Sequence, residues 1–191
     1  MSFKVLVVPE DPTNNGYILQ PLVTRMLEGC GRPQGKVTVL TNPKTAGYDH
    51  AKAILIDQVF DRYSHYDLLL FLCDADGKDR TAAFANLEAQ GTEKQVRLIC
   101  CAAIQEIETW LLAGHTNNLN REWAEVRADV SVKENVFDPF MAQHGDSRRP
   151  GGGRDLLMKD TLQNYAGLLE RCPELRSLEN RIREIVEGVP E

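Results

Sequence analysis

The chain has 191 residues, 42% hydrophobic and 26% charged, a balance that suits one globular domain or one domain with a helical appendage. A chain of this length buries about 70% of the surface its unfolded form exposes, so its core needs no disulfide or metal staple. The net charge of −6 weighs against a generic nucleic-acid coat, whose affinity rests on Lys and Arg neutralising phosphates. It leaves room for an enzyme that reaches phosphate through a metal ion and a small basic patch.

In chain order, "MSFKVLVVPED" has no basic region followed by a long apolar run, so it reads as a first strand rather than a signal peptide. A helix over "GYILQPLVTRMLEGCG" follows, and because Pro21 belongs in a first turn its start is expected near Leu19 or Gln20. "KVTVLT" is the second strand and "DHAKAILIDQVFDRYSHY" the second helix. "DLLLFLC" is the third strand, and "DRTAAFANLEAQG" a helix capped by Asp79 with Gly91 past its end. "QVRLICCAA" is the fourth strand, running into "IQEIETWLLAG". This alternation over residues 1–115 predicts an α/β, Rossmann-like, mostly parallel sheet of about four strands flanked by helices. Residues 116–191 predict a mainly helical C-terminal extension packed on that core, with "RRPGGGR" as its one hinge or linker. No apolar run approaches the ~20 residues of a membrane helix. The five cysteines contain no C-x-x-C and point to buried thiols in a reducing cytoplasm. His50, His65, His115 and His144 show no zinc-type spacing.

Parallel sheets of this kind bind ligands beyond the carboxyl ends of their strands. Two acidic stretches fall there: Glu10 and Asp11 after the first strand, and Asp74, Asp76 and Asp79 after the third. Along an extended chain, residues i and i+2 point to one side roughly 7 Å apart, so Asp74 and Asp76 would face one cation. Pairing of the first and third strands would add Glu10. Clustered carboxylates repel one another, a divalent ion removes that repulsion, and hard oxygen ligands suit Mg²⁺ or Mn²⁺. D-x-D-G after a strand also reads simply as a turn leading to a cap at Asp79.

"VLVVPED" and "LFLCDAD" resemble the two acidic motifs of Toprim domains, which carry a Glu at the end of the first strand and a D-x-D at the end of a later one. "QEIETWLLAG" and "PGGGRDLLMKDTLQNY…CPEL" extend the resemblance to a Toprim-like family of unassigned bacterial proteins, over most of the chain. Some members of that family are similar to the nuclease subunits of phage-defence systems in which an ATPase partners a Toprim subunit. The resemblance implies that Glu10, Asp74 and Asp76 hold the metal, and it favours Glu108 as a further carboxylate for the site or for positioning water. Toprim domains often have Gly after the Glu; here Asp11 follows, as an extra ligand or as the mark of an altered loop.

In "IQEIETWLL", Ile104, Ile107 and Leu111 share helical spacing and are expected to face the core, with Glu106 at the surface. Arg148, Arg149 and Arg154 flank three glycines before a helix, where backbone N–H groups and arginine forks suit phosphate; Lys159 could share that face. The other reading of this stretch is a flexible surface hinge. Phe137, Phe140 and Met141 read as core or subunit interface, which leaves a homodimer open.

Three functions follow in order. The first is a Mg²⁺-dependent phosphodiesterase of Toprim type, a nuclease cutting DNA or RNA. The second is a non-catalytic regulatory or binding subunit of an ATPase complex. The third is a receiver-like phosphoacceptor, which normally needs a Lys after a fifth strand that this sequence does not show.

Overall fold

The run Lys4–Pro9 forms β1, and its Val5, Leu6, Val7 and Val8 are all buried, so both faces of the strand are covered. The structure, a computed structural model, describes residues 2–188. β1 is followed by α1 (Pro12–Gly29), β2 (Lys36–Val39) and α2 (Tyr48–Ile54), which passes through a π turn (Leu55–Val59) into α3 (Phe60–Arg62). Next come β3 (Leu68–Asp74), α4 (Thr81–Glu93), β4 (Leu98–Ala103) and the short α5 (Glu108–Leu112). The remaining helices are α6 (Trp123–Ala128), α7 (Asp138–His144), α8 (Arg154–Gln163), α9 (Tyr165–Arg171) and α10 (Pro173–Glu187).

All strands pair in parallel, in the order β2-β1-β3-β4. This is the α/β, Rossmann-like architecture that the alternating sequence predicts. Because successive side chains of a strand point to opposite faces, the sheet divides two cores. On one face Val5, Val7, Leu68, Leu70 and Leu72 pack with α1 and with helices of the C-terminal third, including Met158, Leu178 and Ile182. On the other, Leu6, Val8, Leu69 and Phe71 meet Leu55 and Phe60 of the second helical stretch and Leu87 of α4. The C-terminal helices thus share a core with the sheet. Trp110, fully buried in α5, donates through Nε1 to Glu174 at the start of α10 (3.0 Å), and Arg127 grips the same carboxylate at 2.8 and 3.0 Å. Trp123 Nε1 donates to the carbonyl of Arg171 in α9 (3.2 Å). All five cysteines are free and buried, and no described helix is long and apolar enough to cross a membrane.

Several boundaries differ from the sequence prediction. α1 begins at Pro12 and contains Pro21 in its interior. Asp11 caps it, accepting from the N–H of Thr13 at 2.8 Å, and Pro12 takes the first position, where a missing N–H is harmless. Pro21 leaves the Tyr17 carbonyl without its i+4 donor, which costs about 3 kcal/mol. Burying Ile18, Leu19, Leu22, Val23, Met26 and Leu27 along the same helix, at ~1.5–3 kcal/mol each, outweighs that loss. Gly91 lies within α4 rather than beyond it; its backbone is not left-handed as a helix-ending glycine would be, and a Cβ there would press to 3.1 Å from the Cβ of Leu98.

Ile104 is 42% exposed although Ile107 and Leu111 are buried. Helical spacing does not reach Ile104, because Gln105 is left-handed (φ 73°) and α5 starts only at Glu108. The "RRPGGGR" stretch packs as a turn: Gly151, Gly152 and Gly153 are all left-handed (φ 65°, 66° and 83°), and a side chain on Gly151 would overlap the ring of Tyr17.

Candidate functional site

The chain steps from β1 to β2 on one side and returns to β3 on the other, so the order reverses between β1 and β3. The crevice at such a reversal, beyond the carboxyl ends of the strands, is where open α/β sheets bind ligands. The register pairs Pro9 with Leu72 and Asp74 with Ala103, which sets Glu10 beside the end of β3. Glu10 Oε1 accepts from the N–H of Asp74 (3.1 Å), and Asp74 Oδ1 accepts from the N–H of Ile107 (2.7 Å). Two of the acids singled out in the sequence are therefore brought together by strand pairing.

Both are pushed toward the protonated form. Glu10 is buried, and that burial lifts its pKa from 4.5 to about 7; the hydrogen bond from Asp74 opposes the shift and the charge of Asp76 adds to it. Burial likewise lifts Asp74 from 3.8 to about 8, with the negative charges of Glu108 and Glu10 contributing. Two carboxylates in this condition form a site that gains from a nearby positive charge.

Asp76 is turned differently from the extended geometry expected. β3 ends at Asp74, and Asp76 (φ 51°) and Gly77 (φ 68°) occupy a tight turn closed by the Lys78 N–H on the Ala75 carbonyl (2.9 Å). Left-handed backbone at both central positions is the mirror-image turn that Asp and Gly favour. Asp76 Oδ2 lies 3.4 Å from Arg80 Nη2, and the Arg80 guanidinium stands 3.7 Å over the ring of Tyr48. Asp79 accepts from the N–H of Thr81 at 2.9 Å, but it stands one residue ahead of the cap position the sequence predicts for it, which Arg80 occupies without a side-chain capping bond.

Glu108 is 1% exposed, inside the cleft rather than in solvent. Its Oε1 is 3.3 Å from Lys133 Nζ, an ion pair without hydrogen-bond alignment, and Oε2 has no hydrogen-bond partner among the described residues. Glu106, expected at the surface, has a side chain only 15% exposed and lies 3.5 Å from the same ammonium. Burial and the charge of Glu108 raise its pKa, which Lys133 partly offsets. Burial of Lys133 favours its neutral form, yet Glu108 and Glu106 reverse this and hold its pKa above the usual lysine value.

The remaining candidates stand elsewhere. The carboxylate of Asp11 is engaged in capping α1. Arg148 is bidentate to Asp146 (2.9 and 3.2 Å), Arg149 pairs with Asp155 (3.1 Å), and Lys159 is exposed. Arg154 donates to the Gly151 carbonyl (2.7 Å) and lies 5.1 Å over the ring of Phe137, with its Nε buried and unpartnered. Sequence reasoning missed Arg80, Glu106 and Lys133. Arg80 had a local signal, a cation four residues past Asp76; Lys133 had none, since it reaches the cleft only through folding.

The donor set is entirely carboxylate oxygen, the chemistry that suits Mg²⁺ or Mn²⁺. Its two inner members are raised toward neutrality, and Glu108 has an orphaned oxygen. The residues present fit a hard divalent ion in kind. Among the described residues, no three His, Cys, Asp or Glu side chains are arranged as a ready ligand group. Compared with family models, curated proteins and solved structures, the chain matches none.

Proposed function

We propose that the protein is a divalent-cation-dependent phosphodiesterase, a nuclease of Toprim-like type, with Glu10 and Asp74 as the residues that hold Mg²⁺ or Mn²⁺. The observation that carries this reading is the pairing of β1 with β3. It sets two buried carboxylates side by side at the crevice of the sheet, each with one oxygen fixed by a backbone N–H. Bound there, the ion would polarise a phosphoryl oxygen and lower the pKa of an attacking water. Ile107 N–H orients Asp74, Arg80 holds the Asp76 carboxylate beside the cleft, and Glu108 offers a buried oxygen to orient water. A reducing cytoplasm, a phage-defence role and an ATPase partner belong to the same proposal through the family resemblance.

A second reading, a non-catalytic subunit of an ATPase complex, is favoured by one observation. Arg148, Arg149 and Arg154 already bond within the chain, which leaves fewer cations for a nucleic-acid backbone. Plasmid, single-stranded DNA and RNA, incubated with the protein in Mg²⁺, in Mn²⁺ or in chelator, separate the two. Cleavage only with the ion, falling at least about a hundredfold in Glu10→Gln and in Asp74→Asn, is the expected result. Cleavage that both variants retain, or none on any substrate with or without a cognate ATPase, would reject the nuclease.

A further inference from the structure

The cleft contains a cation of the protein's own. Lys133 Nζ lies 3.3 Å from Glu108 Oε1 and 3.5 Å from Glu106 Oε2, and its charge also acts on Asp74. Glu108 is almost wholly enclosed, and its second oxygen has no partner. A carboxylate in that state is costly unless positive charge stands beside it.

The lysine is delivered by a braced turn and not by a free arm. It opens the π turn Lys133–Phe137, flanked by the buried Val132 and Val136. Ahead of it, Asp129 accepts from the Ser131 N–H (2.9 Å) and from Asn135 Nδ2 (3.2 and 3.0 Å), and pairs with Arg121 (2.7 Å).

The charges of the cleft decide what this arrangement is for. Among the described residues, five carboxylates of the cleft (Glu10, Asp74, Asp76, Glu106 and Glu108) stand against two cationic side chains, Arg80 and Lys133, while the charge of Glu134 reaches Glu106 from the exposed surface. With every group ionised, three negative charges remain. One divalent ion leaves a single negative charge, and a second would reverse the sign. Without Lys133 four negative charges remain, which two divalent ions neutralise.

We propose that Lys133 is a tethered cation occupying a position on the Glu106–Glu108 side of the cleft that a divalent metal ion would otherwise fill. The chain is thereby built to take one ion, on the Glu10–Asp74 side. The count of one rests on the function proposed above; the occupancy by Lys133 does not.

Titration calorimetry with Mn²⁺, counting ions per folded chain, tests this on the wild type, Lys133→Met and Lys133→Arg. One ion in the wild type, one more in Lys133→Met and no gain in Lys133→Arg is the expected pattern. No ion in the wild type but one in Lys133→Met would keep the tethered cation and reject the metal-dependent reading. Equal counts and affinities in the wild type and Lys133→Met, or two ions in the wild type, would overturn the tethered cation. If Lys133→Met does not fold, Glu108→Gln decides: an ion count equal to wild type is expected, and loss of an ion overturns the proposal.

Discussion

Glu10 and Asp74 are held at ordinary hydrogen-bonding distances, yet burial and neighbouring acids disfavour their ionised forms. The consequence for stability has a definite sign. Their folded pKa values, about 7 and about 8, lie above the ordinary 4.5 and 3.8, so between these limits the folded chain holds protons that the unfolded chain has released. Stability from this source is fully present at low pH and is lost as pH rises through about 7 to 8. Thermal unfolding in chelator should therefore give a higher midpoint near pH 5.5 than near pH 8.5, by on the order of a few kcal/mol in stability, less in Glu10→Gln. Saturating Mn²⁺ should flatten the slope, because the ion favours the ionised carboxylates. A midpoint that rises with pH in chelator would show that these acids are not under the strain described.

At the scale of elements, β4 is an outer strand whose free edge is closed by side chains. The Cys100 N–H donates to Glu88 Oε1 (2.8 Å), Arg181 Nη1 donates to the Cys100 carbonyl (3.3 Å), and Arg181 pairs with Glu88 Oε2 (2.8 Å). A helix of the sheet layer and the last helix together imitate the peptide of a missing neighbouring strand. Glu88→Ala should cost about 1–3 kcal/mol in urea unfolding, because it strands a backbone donor and a partly buried guanidinium. It should also produce concentration-dependent association in light scattering, since an open edge recruits other strands. An unchanged midpoint with a monodisperse sample would contradict this. The elements themselves were legible where the pattern was local. Apolar runs marked β1, β3 and β4, the alternating KVTV marked β2, and Glu10 and Asp74 followed from placing acids at strand ends. What could not be read depended on partners from elsewhere in the chain. α1 tolerates Pro21 because of what its apolar face meets, Gly91 is small because Leu98 is close, and Ile104 leaves the helical pattern at a left-handed Gln105. Lys133 was invisible for the same reason, as it lies 25 positions beyond the Glu108 it neutralises.

For the whole molecule, the division into residues 1–115 and 116–191 describes the order of elements and not two separable cores. Val5, Val7, Leu68 and Leu70 are covered on one face by residues that include Met158, Leu178 and Ile182. Removing the C-terminal part would expose that face, and losing large buried side chains costs ~2–5 kcal/mol each against a total stability of about 5–15 kcal/mol. A chain ending at residue 115 should therefore give a poorly dispersed proton spectrum and no cooperative melt. Sharp, dispersed resonances from it would establish the α/β part as an independent domain. The two tryptophans of the chain are both tied to this docking, Trp110 through Glu174 and Trp123 through the Arg171 carbonyl. Any step that lifts α9 or α10 from the sheet places an indole in water. Native emission wavelength thus serves as an unlabelled optical gauge of whether the tail is seated, readable during binding or turnover without altering a residue.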